Sequence, residues 1–244
     1  MNVILIGGLF SLAVLSGMLG LGVAFAAVPF LSFFLPDLVH QVQPLSLLLN
    51  GVTALFSVFG FAQSGLVDWR KALILAVVTT MVAPLGAWLV QLVPVLYVWV
   101  LYLAAVAFLA YRLFRPVVPR ARGGEENFRL ALILAVPISV LAGFLGIGPG
   151  FLLMPTLILV GFETKRAAAI NAFAVTPPSF SAVLPHLRTA QWDMSLAVPL
   201  LLVGAVGSYL GARVAARWVP GERLKQLFGL LIVVVTVYRV WKLV

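Results

Sequence analysis

The sequence predicts an all-α, polytopic membrane protein made of two inverted-topology repeats, about five membrane segments in each, with glycine-broken re-entrant or half helices. Three observations predict it. Hydrophobic residues make up 63% of the 244 and charged residues only 9%, and apolar runs long enough to span a bilayer recur from end to end. A string rich in glycine and proline occurs twice, about half a chain apart. The basic residues fall in the gaps between apolar runs, on alternate sides.

The first element, residues 3–19, opens on "MNVILIGGLFSLAVLSG". It lacks a basic n-region and an A-x-A cleavage signal, so it reads as a retained membrane segment and not as a signal peptide. Glycines break the run before it resumes over 21–35. The break, "SGMLGLGVAFAAVPFL" at 16–31, lies over "AGFLGIGPGFLLMPTL" at 142–157 and matches Gly17 with Gly143, Gly20 with Gly146, Gly22 with Gly148 and Pro29 with Pro155. Three anchors follow in the same order: Asp68 with Asp193, the "LGA" ending at Ala87 with that ending at Ala212, and Tyr111–Arg112 with Tyr238–Arg239. The halves, 1–114 and 130–244, are read as one ancestral unit duplicated and joined by a basic cytoplasmic linker at 115–129.

After its broken pair each half carries three longer runs, 42–63, 72–92 and 95–114 in the first, then 167–187, 194–216 and 224–240 in the second. The second broken pair covers 130–145 and 151–160. A broken pair crosses twice or dips in and returns; either way it leaves the chain on the side where it began. Each half then makes an odd number of crossings, which inverts the second relative to the first.

Charge tests this count. One side collects Arg70, Lys71, Arg112, Arg115, Arg120, Arg122, Arg129, Lys165, Arg166, Arg213, Arg217, Arg223 and Lys225; the other keeps Arg188, Arg239 and Lys242. The richer side is cytoplasmic by the positive-inside rule, which sets both termini outside. Reading each broken pair as a single bent crossing weakens the bias to ten against six.

Breaking a helix in hydrocarbon is tolerated where the freed backbone lines a cavity or is covered by protein. The half-helix that restarts presents unpaired N–H groups and the positive end of its dipole, which suit an anion. Gly20, Gly22, Gly146 and Gly148 are the expected substrate-binding positions, because without a Cβ the backbone amides approach an anion closely. Pro149 fits the restarted first turn. Close packing through small residues would use the same glycines; duplication of the break favours a site. On this reading Gly148→Val abolishes anion flux and leaves the fold largely intact.

Two polar stripes point to the same place. Ser46, Asn50, Thr53 and Ser57 recur at helical spacing on the 42–63 run, and its counterpart carries Asn171, Thr176, Ser179 and Ser181, with Pro177 and Pro178 freeing carbonyls upstream. Ser46, Asn50, Asn171, Thr176 and Ser179 are added to the candidate site as neutral groups lining a path for a small polar solute. Arg188, at the outer end of the second stripe, attracts an anion from outside or snorkels to the headgroups. Asp68 and Asp193 are expected helix N-caps.

Composition removes other classes. Without cysteine there is no disulfide, thiolate metal site or cysteine relay. The net charge of +9 forms no extended basic face, so nucleic acid is not an expected partner. A membrane enzyme needs a nucleophile with its base or a metal cluster, and the two histidines, His40 and His186, stand in no paired-ligand setting. No cofactor is called for, and none of the acidic residues falls well within a span, so coupling through a buried Asp or Glu is not expected. Substrate-borne protons, a backbone-bound Na⁺ or facilitated diffusion remain as modes of coupling.

The repeated glycine break followed by an apolar segment and proline, and then "GLVDWR" at 65–70, resembles the TauE/SafE sulfite exporter family of membrane transporters along nearly the whole chain. The resemblance implies export of sulfite, sulfonates or related organosulfur anions across the bacterial cytoplasmic membrane. Alternating access is the expected mechanism and an anion channel of the same architecture its nearest rival. Partners are then the small anion and the lipid bilayer, and a homodimer is compatible with the sequence. The halves differ at "GLGVAF" and "GIGPGF", so they need not contribute equally.

Overall fold

The computed structural model describes residues 3–94, 126–191 and 193–224, with 96–98, 100, 101, 104, 226, 227 and 230. Most of the expected spans 95–114 and 224–240, and linker positions 115–125, lie outside the described residues. Eight α-helices are followed here: α1 (Val3–Leu19), α2 (Ala24–Leu31), α3 (Gln43–Ala62), α4 (Trp69–Leu89), α5 (Phe128–Leu145), α6 (Gly150–Leu159), α7 (Thr164–Ser181) and α8 (Met194–Trp218). Among the described residues five helical stretches are long and apolar enough to cross a membrane: Leu38–Ala62, Trp69–Leu92, Phe128–Leu145, Thr164–His186 and Met194–Trp218.

Both breaks stop their helices in the same way. Gly20 and Gly146 are left-handed, at φ +61° and +67°. Leu21 N–H reaches back to Ser16 O and Ile147 N–H to Ala142 O, each at 3.1 Å, the six-to-one bond of a Schellman end. The chain then turns and restarts as α2 or α6. Asn127 N–H donates to Val160 O at 2.9 Å, so the segment after α6 returns to the start of α5.

Helices α4 and α8 begin on the side-chain caps that the sequence predicts. The Asp68 carboxylate accepts from Lys71 N–H at 3.2 Å, and the Asp193 carboxylate from Ser195 N–H at 3.0 Å and Leu196 N–H at 3.3 Å. Burial alone would raise the Asp68 carboxyl, but the backbone bond and the Lys71 ammonium hold it below the ordinary value. The Ser195 hydroxyl does most to lower Asp193. A π turn, Leu38–Val42, leads into α3 and is capped by Asp37.

Burial sorts the spans into layers. Those containing α3 and α7 are 67% and 72% buried, against 33–39% for α4, α5 and α8, so α3 and α7 form the centre. Leu73, Val77, Met81, Leu85 and Trp88 of α4 and Val198, Leu202, Val206, Leu210 and Val214 of α8 are exposed at spacings of three or four, the apolar stripe that a lipid-facing helix presents. Association of such helices relies on close packing through small residues. A methyl added at Gly17 or Gly211 would strike the backbone at Ser208 or Val14, joining α1 to α8; at Gly86 or Gly143 it would strike Val140 or Ala83, joining α4 to α5.

Prolines inside α4 and α7 each free a carbonyl four residues upstream, and the two helices satisfy one another. Thr79 Oγ of α4 donates to Ala174 O at 3.1 Å, the carbonyl released by Pro178, and shares its proton with Leu75 O. Ser181 Oγ of α7 donates to Thr80 O at 3.0 Å, the carbonyl released by Pro84. Thr79→Val and Ser181→Ala are each expected to lower stability by about 0.5–1 kcal/mol, near the membrane average for such bonds. Together they should add, because they serve different carbonyls. Unfolding of the purified variants in detergent measures both.

The two ends of the bundle differ in chemistry. At one, Lys71 pairs with Glu126 and with Asp68 and Lys165 Nζ donates to Ala216 O. At the other, Gln191 N–H donates to His40 O at 2.8 Å and Gln91 Nε2 to Pro185 O at 3.0 Å.

Candidate functional site

The sequence of α2 provides no cap for its own start. Val23 stands at the N-cap and has no side-chain acceptor, so the orphan amides of the first turn need partners from elsewhere. They come from α3: Ala24 N–H donates to Asn50 Oδ1 at 2.9 Å and Val23 N–H to Thr53 Oγ1 at 3.1 Å. Asn50 Nδ2 in turn donates to Ser179 Oγ of α7 at 2.8 Å. One fully buried carboxamide therefore holds α2, α3 and α7 together.

The same carboxamide fills the space over both breaks. A methyl at Gly22 would fall on Asn50 Oδ1 and one at Gly148 on Asn50 Nδ2, and both glycines are left-handed, at φ +70° and +68°. Each is required twice over, by its dihedral and by the side chain above it. The expectation that Gly148→Val spares the fold is therefore corrected: valine there would displace Asn50 and strain the backbone.

A second asparagine, from the other half, ties the breaks to each other. Asn171 Nδ2 donates to Gly20 O at 2.7 Å and to Gly150 O at 3.1 Å. A methyl at Gly150 would strike Leu21 O, and Phe25 stacks on Phe151 with ring centroids 4.6 Å apart and planes 8° apart. The two breaks thus meet face to face between α3 and α7. Phe25 and Phe151 are matched positions of the two strings, as are Gly22 and Gly148.

The sequence-predicted residues separate into groups. Gly20, Gly22, Gly146, Gly148, Asn50, Asn171 and Ser179 converge at this junction; Gly146 lies against the Gln43 side chain of α3. Ser46 is buried and has no hydrogen-bond partner. Thr176 is buried and bonded back to Ala172 O at 2.8 Å. Arg188 is exposed, beyond the turn Leu184–His186 that follows α7, apart from the junction.

Three buried oxygens at or beside the junction lack partners: Gln43 Oε1, Ser46 Oγ and Asn171 Oδ1. Gln43 was not among the predicted residues. Its only signal is register, since it matches Ala168, which faces Gly20 as Gln43 faces Gly146. Among the described residues no Lys, Arg, Asp or Glu is buried, and no three His, Cys, Asp or Glu side chains converge to hold a metal. The junction is a neutral, oxygen- and amide-bearing site with apolar walls. Its described side chains bring no charge to compensate that of an ion.

Proteins of similar sequence are described as probable membrane transporters or as members of the sulfite exporter family. The profile described as "Sulfite exporter TauE/SafE" matches residues 4–239. A "Probable membrane transporter protein" of Xylella fastidiosa is 29% identical over 97% of this chain and 93% of its own. A similarly described protein of Methanocaldococcus jannaschii is 21% identical over 86% of this chain and 85% of its own. A "Sulfite exporter TauE/SafE family protein 1" of Arabidopsis thaliana is 30% identical over 39% of this chain and 21% of its own. No solved structure matches the chain.

Proposed function

The chain belongs to the sulfite exporter TauE/SafE family, and on that premise we propose that it carries small sulfur-containing anions, of the sulfite or sulfonate class, across the cytoplasmic membrane by alternating access between two inverted halves. That it is a multi-pass membrane transporter follows from the family and from its candidate spans. The cargo and the mechanism are our reading.

The observation that carries the reading is the meeting of the two glycine breaks beside buried polar atoms that have no partner. A protein interior otherwise pairs such groups, and in a transporter an unpaired set at a helix break is where a polar substrate gains its bonds. The breaks contribute unequally. The opening amides of α2 are engaged by Asn50 and Thr53, whereas α6 restarts behind Pro149, between the glycines at 148 and 150. We assign the anion to the α6 side, against the amides near Gly148 and Gly150, with Ser46, Thr176 and Ser179 along its path. Arg188 serves only to draw anions to the outer mouth.

The inverted reading draws support from contacts that recur at matched positions: Gly17 on Ser208 and Gly143 on Ala83, Gly211 on Val14 and Gly86 on Val140. The Asn127 to Val160 bond supports a broken pair that dips in and returns, and the charge bias supports a cytoplasmic linker with both termini outside.

Sulfite efflux from proteoliposomes at an imposed potential, with sulfate and a small sulfonate as competitors, tests the proposal. Saturable, competed efflux is expected. Flux that neither saturates nor shows counterflow would make the protein a channel, and no flux above empty liposomes from folded protein would remove the cargo.

A further inference from the structure

Asn171 is bonded in a way that capping does not require. Its Nδ2 faces two backbone carbonyls from two different breaks, Gly20 O at 2.7 Å and Gly150 O at 3.1 Å, while its Oδ1 is fully buried and without a partner. Gly20 lies just past the end of α1, where the helix dipole is negative and carbonyls are left over. Two carbonyl oxygens converging on one point make a cation site that an amide N–H can occupy. Because the two ends of a carboxamide have nearly the same shape, a half-turn of the Asn171 amide would put Oδ1 where Nδ2 now lies. Three oxygens would then lie against one another, an arrangement that is repulsive when empty and favourable around a cation seated beside all three.

From this geometry we infer that a small monovalent cation, Na⁺ in the test below, binds at the junction of the breaks on Gly20 O, Gly150 O and Asn171 Oδ1 and accompanies the transported anion. The inference deepens the transport reading above and rests on it for the coupling, though not for the site. Charge decides the valence. Divalent cations of the Ca²⁺ type are held by carboxylates, and the junction has none; neutral oxygens suit a single charge. Charge also gives the cation its purpose. An anion entering a site where no Lys or Arg is buried among the described residues carries an uncompensated charge into a low-dielectric interior, and a cation beside it cancels that charge. With only three protein oxygens, the remaining coordination is open to water or to an oxygen of the anion itself, which is how the two bindings become linked. A monoanion moving with Na⁺ is electroneutral, so its flux should not respond to membrane potential.

The test begins with unfolding of the detergent-purified protein in chloride salts of Na⁺, K⁺ and N-methylglucamine at constant ionic strength, with no sulfur anion present. A midpoint that rises saturably with Na⁺ alone is expected, as for any ligand that binds the folded state only. Asn171→Leu should lose that response and Asn171→Asp, which keeps oxygens at the position, should retain it. A wild-type protein indifferent to Na⁺, or an Asn171→Leu protein that responds as wild type does, overturns the site. Sulfite flux is then compared in Na⁺ and N-methylglucamine. Flux at least tenfold higher in Na⁺ supports the linkage; equal flux overturns it and leaves the transport reading standing. Absence of sulfite flux alongside a saturable Na⁺ response removes the cargo and leaves the cation site standing.

Discussion

Asn50→Ala is expected to abolish anion flux and to lower stability by at least 1–3 kcal/mol, roughly the cost of a stranded buried amide, with the cavity left behind adding to it. The amide stranded is Ala24 N–H, for which Asn50 Oδ1 is the partner, and the bond to Ser179 is lost with it. Ser46→Ala is the informative contrast. Its buried hydroxyl has no partner, so its removal should not lower stability and should act on transport alone, raising the sulfite concentration at half-maximal flux. Detergent unfolding and sulfite efflux, measured on both variants, separate a residue that holds the junction from one that lines it. Equal stability of wild type and Asn50→Ala would refute the bridging role.

Gly148→Ala is the second large effect. The left-handed backbone costs a non-glycine residue about 1–3 kcal/mol, and the new methyl falls on Asn50 Nδ2, so folded yield and flux should both fall sharply. The two penalties separate in a double-mutant cycle. Shortening Asn50 to alanine removes the clash but not the dihedral strain. Gly148→Ala with Asn50→Ala should therefore be less destabilised than the sum of the single changes, by about 0.5–3 kcal/mol as for residues in contact. Strict additivity would mean that the two positions do not touch.

What could be read from the sequence was what local chemistry encodes. Glycine and proline at 20, 22, 146, 148 and 149 announced two helix ends, because those residue types stop a helix whatever surrounds them; Asp68 and Asp193 announced two starts for the converse reason. The use made of the polar stripe was not legible. Asn50 and Thr53 read as lining a path, whereas they cap a helix that begins 26 and 30 residues earlier. A clue did exist. The Val23 side chain cannot accept a hydrogen bond, and a buried helix start without its own cap must borrow one. Periodicity reports which residues share a face and carries no information on what that face meets. For the same reason nothing local showed that Phe25 and Phe151 stack on each other.

The exchange of hydroxyls between α4 and α7 has a mechanical consequence. Displacing either helix along the other by one turn would pull Thr79 from Ala174 and Ser181 from Thr80 in the same step, stranding two carbonyls in a medium without water to take them. The pair thus resists sliding and tends to move as a strut. Any rearrangement that keeps both bonds carries α4 and α7 together as one body.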